Sequence, residues 1–146
     1  MHTGKESVGD RIMVKLKVPP NCDVTFGFEL LEKGPGSTVW RWVPDERWEN
    51  PAGVIQGGSI CAFADTVMAS TVVTALQGEK ALVYTAEAKV SFFRAVKPGE
   101  ELTGHGEVVH KGRRIAFAEA KISDSAGRVV AKASSTWAIT PRDSSS

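Results

Sequence analysis

Gly53-Val-Ile-Gln56-Gly57-Gly58-Ser59-Ile-Cys-Ala-Phe-Ala-Asp65-Thr66-Val-Met-Ala-Ser-Thr-Val-Val-Thr-Ala-Leu76-Gln77-Gly78 is the stretch on which the fold turns. It carries one charged side chain, Asp65, in a chain that is 24% charged. Residues 59–76 contain neither Pro nor Gly, and a run this long predicts a helix rather than a strand. Apolar residues lie around most of its circumference, the pattern of a helix buried on nearly all sides. Gln56, Asp65, Thr66, Ser70, Thr71 and Thr74 punctuate it and no comparable second span follows, which argues against a membrane crossing. Gln77-Gly78 supplies the stop.

Outward from this helix the chain reads as strand. Residues 38–43 are rich in Val and Trp, and residues 45–48 suit a short turn. Extended runs follow at 82–96, 101–110, 114–123 and 128–139, separated by turn chemistry at Lys97-Pro98-Gly99, Lys111-Gly112 and Asp124-Ser-Ala-Gly127. The segment Lys111-Gly112-Arg113 is short enough for a hairpin. In the run 115–122, Ala116, Ala118 and Ala120 alternate with larger residues, so one face is small enough for a helix to lie close against it. The expected architecture is α+β, one long helix packed on a largely antiparallel sheet. A single domain is expected over residues 1–146, with a core at about 24–140, an N-terminal extension and a disordered Ser-rich tail from Arg142.

Charge says little about partners. Eighteen Lys and Arg against 17 Asp and Glu leave +1, no electrostatic case for nucleic acid or an anionic membrane. Cys22 and Cys61 are too few for a disulfide scaffold, and His2, His105 and His110 show no metal-ligand spacing, so no metal site is expected. Cys61 sits on the apolar helix without a base beside it, which argues against a thiol nucleophile. Residues 1–17 lack the continuous apolar stretch of a signal peptide, and a cytoplasmic setting is the expectation.

The chemistry starts from the isolated carboxylate. An unpaired charge on a buried helix is costly, so Asp65 either bonds local hydroxyls and nothing more, or has a task. Eight residues upstream, Gln56-Gly57-Gly58 opens the helix with free backbone N–H groups at the positive end of its dipole. Glycine lets a ligand atom come close, and such N–H groups can hold a carbonyl oxygen that gains negative charge. Oxyanion donors and a carboxylate are the minimum parts for acyl transfer or hydrolysis. Eight helical residues put Gly57 and Asp65 roughly 12 Å apart along the axis. Asp65 therefore serves the Gly57 nest only from a second copy whose helix runs antiparallel, which predicts a two-fold dimer with composite sites.

These residues carry a resemblance. Asn50-Pro-Ala-Gly53-Val-Ile-Gln56-Gly57-Gly58 followed by Asp65-Thr66 resembles the signature of hotdog-fold acyl-CoA thioesterases of the phenylacetate-degradation (PaaI-like) type, Asn-x-x-Gly-x-x-His-Gly-Gly and then Asp. Val90-Ser-Phe-Phe-Arg94-Ala-Val-Lys-Pro-Gly99, His110-Lys-Gly112-Arg113-Arg114, Ala126-Gly-Arg-Val-Val-Ala131 and Ser135-Thr-Trp137 follow in the matching order. The resemblance covers roughly residues 50–139, and 26–43 more loosely. It implies a hotdog fold, about six antiparallel strands around one central helix, assembled as a homodimer and usually a homotetramer. It also implies hydrolysis of a fatty or aromatic acyl-CoA without metal or cofactor, CoA being part of the substrate. By that analogy the Gly57 N–H polarises the thioester carbonyl. The partner's Asp65 acts as nucleophile or as general base for water, both of which remain open. Asn50 positions the water or the carboxylate, and Thr85 helps orient the water.

Gln56 departs from the resemblance, standing where most relatives have His. It can exchange hydrogen bonds with a carbonyl but cannot titrate near neutrality. Arg94 and the hairpin residues Gly112, Arg113 and Arg114 suit the CoA phosphates by charge and bidentate geometry, against the plainer reading of a solvated turn. Thr85 has an equally plain reading as a strand threonine, and Trp40, Trp42 and Trp48 as core packing. Two competing functions share the fold. A hydratase needs a His near the acid, and Thr66-Val-Met-Ala-Ser70 offers none. A non-catalytic acyl-CoA-binding protein is compatible with Gln56, whereas the retained Asp65 speaks for an enzyme.

Overall fold

The computed structural model describes residues 12–13 and 15–143. In chain order the elements are β1 (Ile12–Met13), α1 (Asn21–Phe26), β2 (Glu29–Gly34), β3 (Ser37–Trp42), a 3-10 turn (Glu46–Trp48), α2 (Gly57–Ala75), β4 (Ala81–Phe92), β5 (Leu102–Lys111), β6 (Ile115–Asp124) and β7 (Val129–Asp143). Neighbouring strands run β2-β3-β5-β6-β7-β4, antiparallel throughout, and β1 adds a short parallel pairing at the end of β7. The sheet curls around α2, giving the hotdog fold.

The turns form where their residue types require. At Asp124-Ser-Ala-Gly127, Gly127 takes φ 79° and Asp124 Oδ1 accepts from the N–H groups of Ala126 (3.0 Å) and Arg128 (2.9 Å). Ala116, Ala118 and Ala120 all face inward and are buried, as their alternation predicts. The closest approach of helix to sheet is on β5 instead. A Cβ on Gly104 would stand 2.8 Å from Val67 Cγ2, and one on Gly106 2.1 Å from Thr71 Oγ1. Two glycines two residues apart on one strand face are thus what lets α2 sit down on the sheet.

The polar residues on this side of α2 are all used. Thr71 Oγ1 and Thr38 Oγ1 lie 2.7 Å apart, Trp40 Nε1 donates to Ser70 Oγ (2.8 Å), and the Gly36 N–H donates to Thr74 Oγ1 (2.9 Å). By length and composition α2 could cross a bilayer, but here Phe63, Ala64, Val67, Met68 and Val72 are packed in the protein core.

Four expectations change. The helix is not covered all round: Val73 is 51% exposed, and Ala62, Asp65 and Ala69 are only half-buried, because one sheet wraps only part of the circumference. The tail does not become disordered at Arg142, since β7 continues through Asp143 beside β1; residues 144–146, like residues 1–11, lie outside the described residues. The run expected at 82–96 ends as a strand at Phe92. Both α1 and β2 went unforeseen, α1 being a short six-residue helix and β2 an edge strand with almost no inward-outward alternation in burial.

Candidate active site

The first turn of α2 is held from outside. Asn50 Oδ1 accepts from the N–H groups of Ala52 (2.9 Å) and Val54 (3.3 Å), closing the loop before the helix. The Ile55 N–H donates to the Val96 carbonyl (2.7 Å) and the Gln56 N–H to the Trp48 carbonyl (2.8 Å). The Gln56 carbonyl accepts from Ser59 (3.0 Å) and Ile60 (3.3 Å), so the helix is properly begun. Among the described residues nothing accepts from the Gly57 or Gly58 N–H groups, and Gln56, exposed, makes no side-chain cap. Phe92 Cζ lies 3.4 Å from where a Gly57 Cβ would stand. Here Ile55, Gly57, Ile60, Phe92, Phe93 and Arg94 help to line a cleft of about 330 Å³.

Asp65 is half-buried on the open side of α2 and accepts a hydrogen bond from Thr85 Oγ1 at 2.7 Å. A β-bulge makes this contact compatible with the rest of the strand. Val83 and Thr85 pair with Ile139 and Trp137, both buried, so they face inward; the register then slips at Ala86, after which Ala88, Val90 and Phe92 face inward opposite Ser135, Ala133 and Ala131. One strand therefore touches both halves of the candidate machinery, Asp65 through Thr85 and Gly57 through Phe92. Within one protomer the two halves stay roughly 12 Å apart, the axial rise of eight helical residues.

A second carboxylate lies close by, one that no sequence pattern singles out. Asp23 on α1 is 7% exposed and accepts from Thr66 Oγ1 at 2.9 Å, which ties α1 to the helix residue following Asp65. Burial is the main cause that pushes its carboxyl above the ordinary value; the charge of Asp65 adds to the rise, and bonds from Thr66 and Cys22 oppose it. Nothing in the stretch 21–26 distinguishes Asp23 in one dimension, because its meaning comes from a contact 43 positions away.

The residues expected to meet CoA are not one cluster in the protomer. Arg94 lines the Gly57 cleft. Gly112, Arg113 and Arg114 form the β5–β6 hairpin, where the Gly112 N–H donates to the Ile115 carbonyl (2.8 Å) and Lys111 pairs with Glu79 (3.0 Å) just beyond the far end of α2. The two groups are therefore about a helix length apart, roughly 28 Å. Trp40 and Trp42 are buried and pack in the core, while Trp48 lies tilted against Phe26 with centroids 4.3 Å apart. Burial pushes the Cys61 thiol up, away from thiolate reactivity. Among the described residues no three His, Cys, Asp or Glu gather as a metal site would require.

Comparison with known proteins places this arrangement. The family model of the thioesterase superfamily matches residues 52–131, which include Gln56, Gly57, Asp65, Thr85 and Arg94. A conserved protein of Pseudomonas aeruginosa is similar in structure, with TM-score 0.77, 27% identity, and 82% of this chain and 94% of that chain covered. The Escherichia coli PaaI protein from the phenylacetic acid degradation operon has TM-score 0.77 at 18% identity, with 88% of each chain covered. A hypothetical thioesterase protein of Streptococcus pneumoniae, solved with coenzyme A, has TM-score 0.73 at 25% identity, covering 80% of this chain and 91% of that one.

Proposed function

The chain belongs to the thioesterase superfamily, and from that premise we propose that it hydrolyses the thioester of a fatty or aromatic acyl-CoA at a site built from two copies of the chain. The observation that carries the reading is the separation just described. A half-open carboxylate holding a threonine hydroxyl and a pair of unused backbone N–H groups are the parts of one reaction, set too far apart in a single protomer to perform it. A two-fold axis that runs the helices antiparallel brings the partner's Asp65 to the Gly57 nest. The streptococcal relative solved with coenzyme A supports the substrate class.

In this reading the thioester carbonyl oxygen sits at the Gly57 N–H, which stabilises the charge that develops there. Asp65 of the partner subunit either takes a proton from water as the water oxygen bonds to the carbonyl carbon, or bonds to that carbon itself to give an anhydride that water then opens. On both routes the C–S bond breaks, CoA leaves as the thiol and the acyl group leaves as the acid. Water, a carboxylate and backbone N–H groups suffice, and the reaction calls on no metal or cofactor. Thr85, bonded to Asp65, holds the carboxylate's direction, while Asn50 holds the shape of the loop that precedes the nest. Arg94 meets the CoA moiety at the cleft, and the hairpin of Gly112, Arg113 and Arg114 reaches that end only from the second copy. Gln56 acts by hydrogen bonding alone.

A panel of short, medium, long and aryl acyl-CoAs, with free CoA as the readout, tests this. Asp65→Ala is expected to lower CoA release about 10³-fold while acyl-CoA binding persists. Gln56→His reports whether the missing imidazole costs rate. Wild-type protein that binds acyl-CoA and releases no CoA would instead identify a binding protein.

A further inference from the structure

The face of the sheet turned away from α2 holds a cleft of about 570 Å³, larger than the one at Gly57 and separate from it. Its side chains alternate with buried ones: Glu119 and Lys121 with Ala118, Ala120 and Ile122 on β6, Lys132 and Ser134 with Ala131, Ala133 and Ser135 on β7. The volume lies in the range of small-molecule sites, about 300–1,000 Å³, and no large apolar side chain lines it. The cross-strand register sorts its charges by sign. Glu107 stands opposite Glu119, and Lys121 stands opposite Lys132. Like charges directly opposite each other destabilise a sheet, and exchanging Glu119 with Lys121 along β6 would turn both pairs into ion pairs. The arrangement therefore does not serve the sheet. Nor do these groups find partners elsewhere: among the described residues, the side chains of Lys89, Glu107, Glu119, Lys121 and Lys132 make no hydrogen bond or ion pair.

We propose that this cleft binds a small sugar phosphate, with the phosphate held by Lys89, Lys121 and Lys132 and the sugar hydroxyls by Glu107 and Glu119. Lys132 is the centre of the basic end. Lys121 stands opposite it on β6 and Ser91 opposite it on β4, while Lys89 is its diagonal neighbour, about 7 Å away. Ser134, opposite Lys89, adds a second hydroxyl. Ammonium groups bind phosphate as strong point charges, and hydroxyls donate to its remaining oxygens. Two residues along each strand the sign reverses. Glu119 lies diagonal to Lys132, again about 7 Å away, with Glu107 beside it. Carboxylates accept hydrogen bonds from sugar hydroxyls, as an acidic residue does from ribose in dinucleotide sites. The same pattern rejects other ligands. A polyanion would run onto the two glutamates, a metal ion would meet the lysines, and an acyl chain would find no apolar wall. The cleft shares no residue with Asp65 or the Gly57 nest, so the inference does not depend on the thioesterase reading.

Titration calorimetry of the full chain with ribose 5-phosphate tests this. Lys132→Met and Lys121→Met are each expected to weaken binding about tenfold or more, the loss of one charge-assisted hydrogen bond. Both variants should keep a denaturation midpoint at or above that of the wild type, because each relieves a like-charge pair. Glu119→Gln should weaken ribose 5-phosphate binding and leave inorganic phosphate bound as tightly as before or more tightly. Ribose without phosphate should show no binding. Arg94→Ala should leave the affinity unchanged, which separates this cleft from the one at Gly57. Absence of ribose 5-phosphate binding overturns the proposal, as does binding that survives Lys132→Met and is lost in Arg94→Ala. A lowered midpoint in the lysine variants would mean that these side chains serve the sheet, and it overturns the proposal as well. Equal affinity for ribose 5-phosphate and inorganic phosphate removes the sugar from it. Tighter binding of adenosine 5′-phosphate overturns the sugar phosphate in favour of a nucleotide.

Discussion

The two faces of α2 use polar residues in opposite ways. On the face against β3 and β5, Ser70, Thr71 and Thr74 are matched to Trp40, Thr38 and the Gly36 backbone, and Gly104 and Gly106 remove the Cβ atoms that would hold the helix off. On the other face Asp65 is half-open, Ala62 and Ala69 are partly uncovered and Val73 is 51% exposed. The first face closes its own hydrogen bonds and packs into the hydrophobic core. The second combines small apolar residues with an ionisable one beside an unpaired strand edge. The difference separates what the protomer needs in order to fold from what it holds ready for another molecule.

The contrast can be broken most strongly on the closed face. Gly106→Ala forces Thr71 Oγ1 away from a contact that would be only 2.1 Å, which disrupts its bond to Thr38. The expected loss is about 3 kcal/mol, combining overpacking with a buried hydroxyl deprived of its partner, and a lower midpoint in chemical denaturation is the check. On the open face the expected effects are on function. Thr85→Val removes the hydrogen bond to Asp65 from an exposed position, so stability should stay within about 0.5 kcal/mol while kcat for thioester hydrolysis falls about tenfold, or about 1.4 kcal/mol in barrier. Unchanged kcat beside intact folding would remove Thr85 from the machinery.

The smallest expected effect lies at Asp23, between the two faces. Its carboxyl is pushed above the ordinary value in the folded chain, mainly by burial, so the folded state holds the proton more tightly than the unfolded state. Its contribution to stability is therefore full below the unfolded value of 3.8 and is lost as pH rises through the folded value. Asp23→Asn keeps an acceptor for Thr66 and removes that loss. Its melting temperature should exceed the wild type's near neutrality, and the advantage should shrink as pH falls toward 3.8. An advantage that does not depend on pH would mean that charge burial is not its source.

Much of this was legible in one dimension. A run of helical length with a single charge predicts α2, and alternation with turn chemistry predicts β3 to β7 to within a few residues, because both patterns report geometry that repeats locally. Asp65 stood out because a lone carboxylate in such a run is expensive. The Ala116, Ala118 and Ala120 row announced a close helix, while the tighter contacts at Gly104 and Gly106 went unread, since a glycine in a strand does not say what approaches it. Only the tertiary structure decided that Thr85 reaches Asp65, that a slip at Ala86 turns the second half of β4 inward, and that Asp23 lies beside Thr66. It also separated Arg94 from Gly112, Arg113 and Arg114. Each of these depends on how the sheet curls and where one strand gains a residue over its neighbour. Periodicity carries no information about distances between segments far apart in the chain.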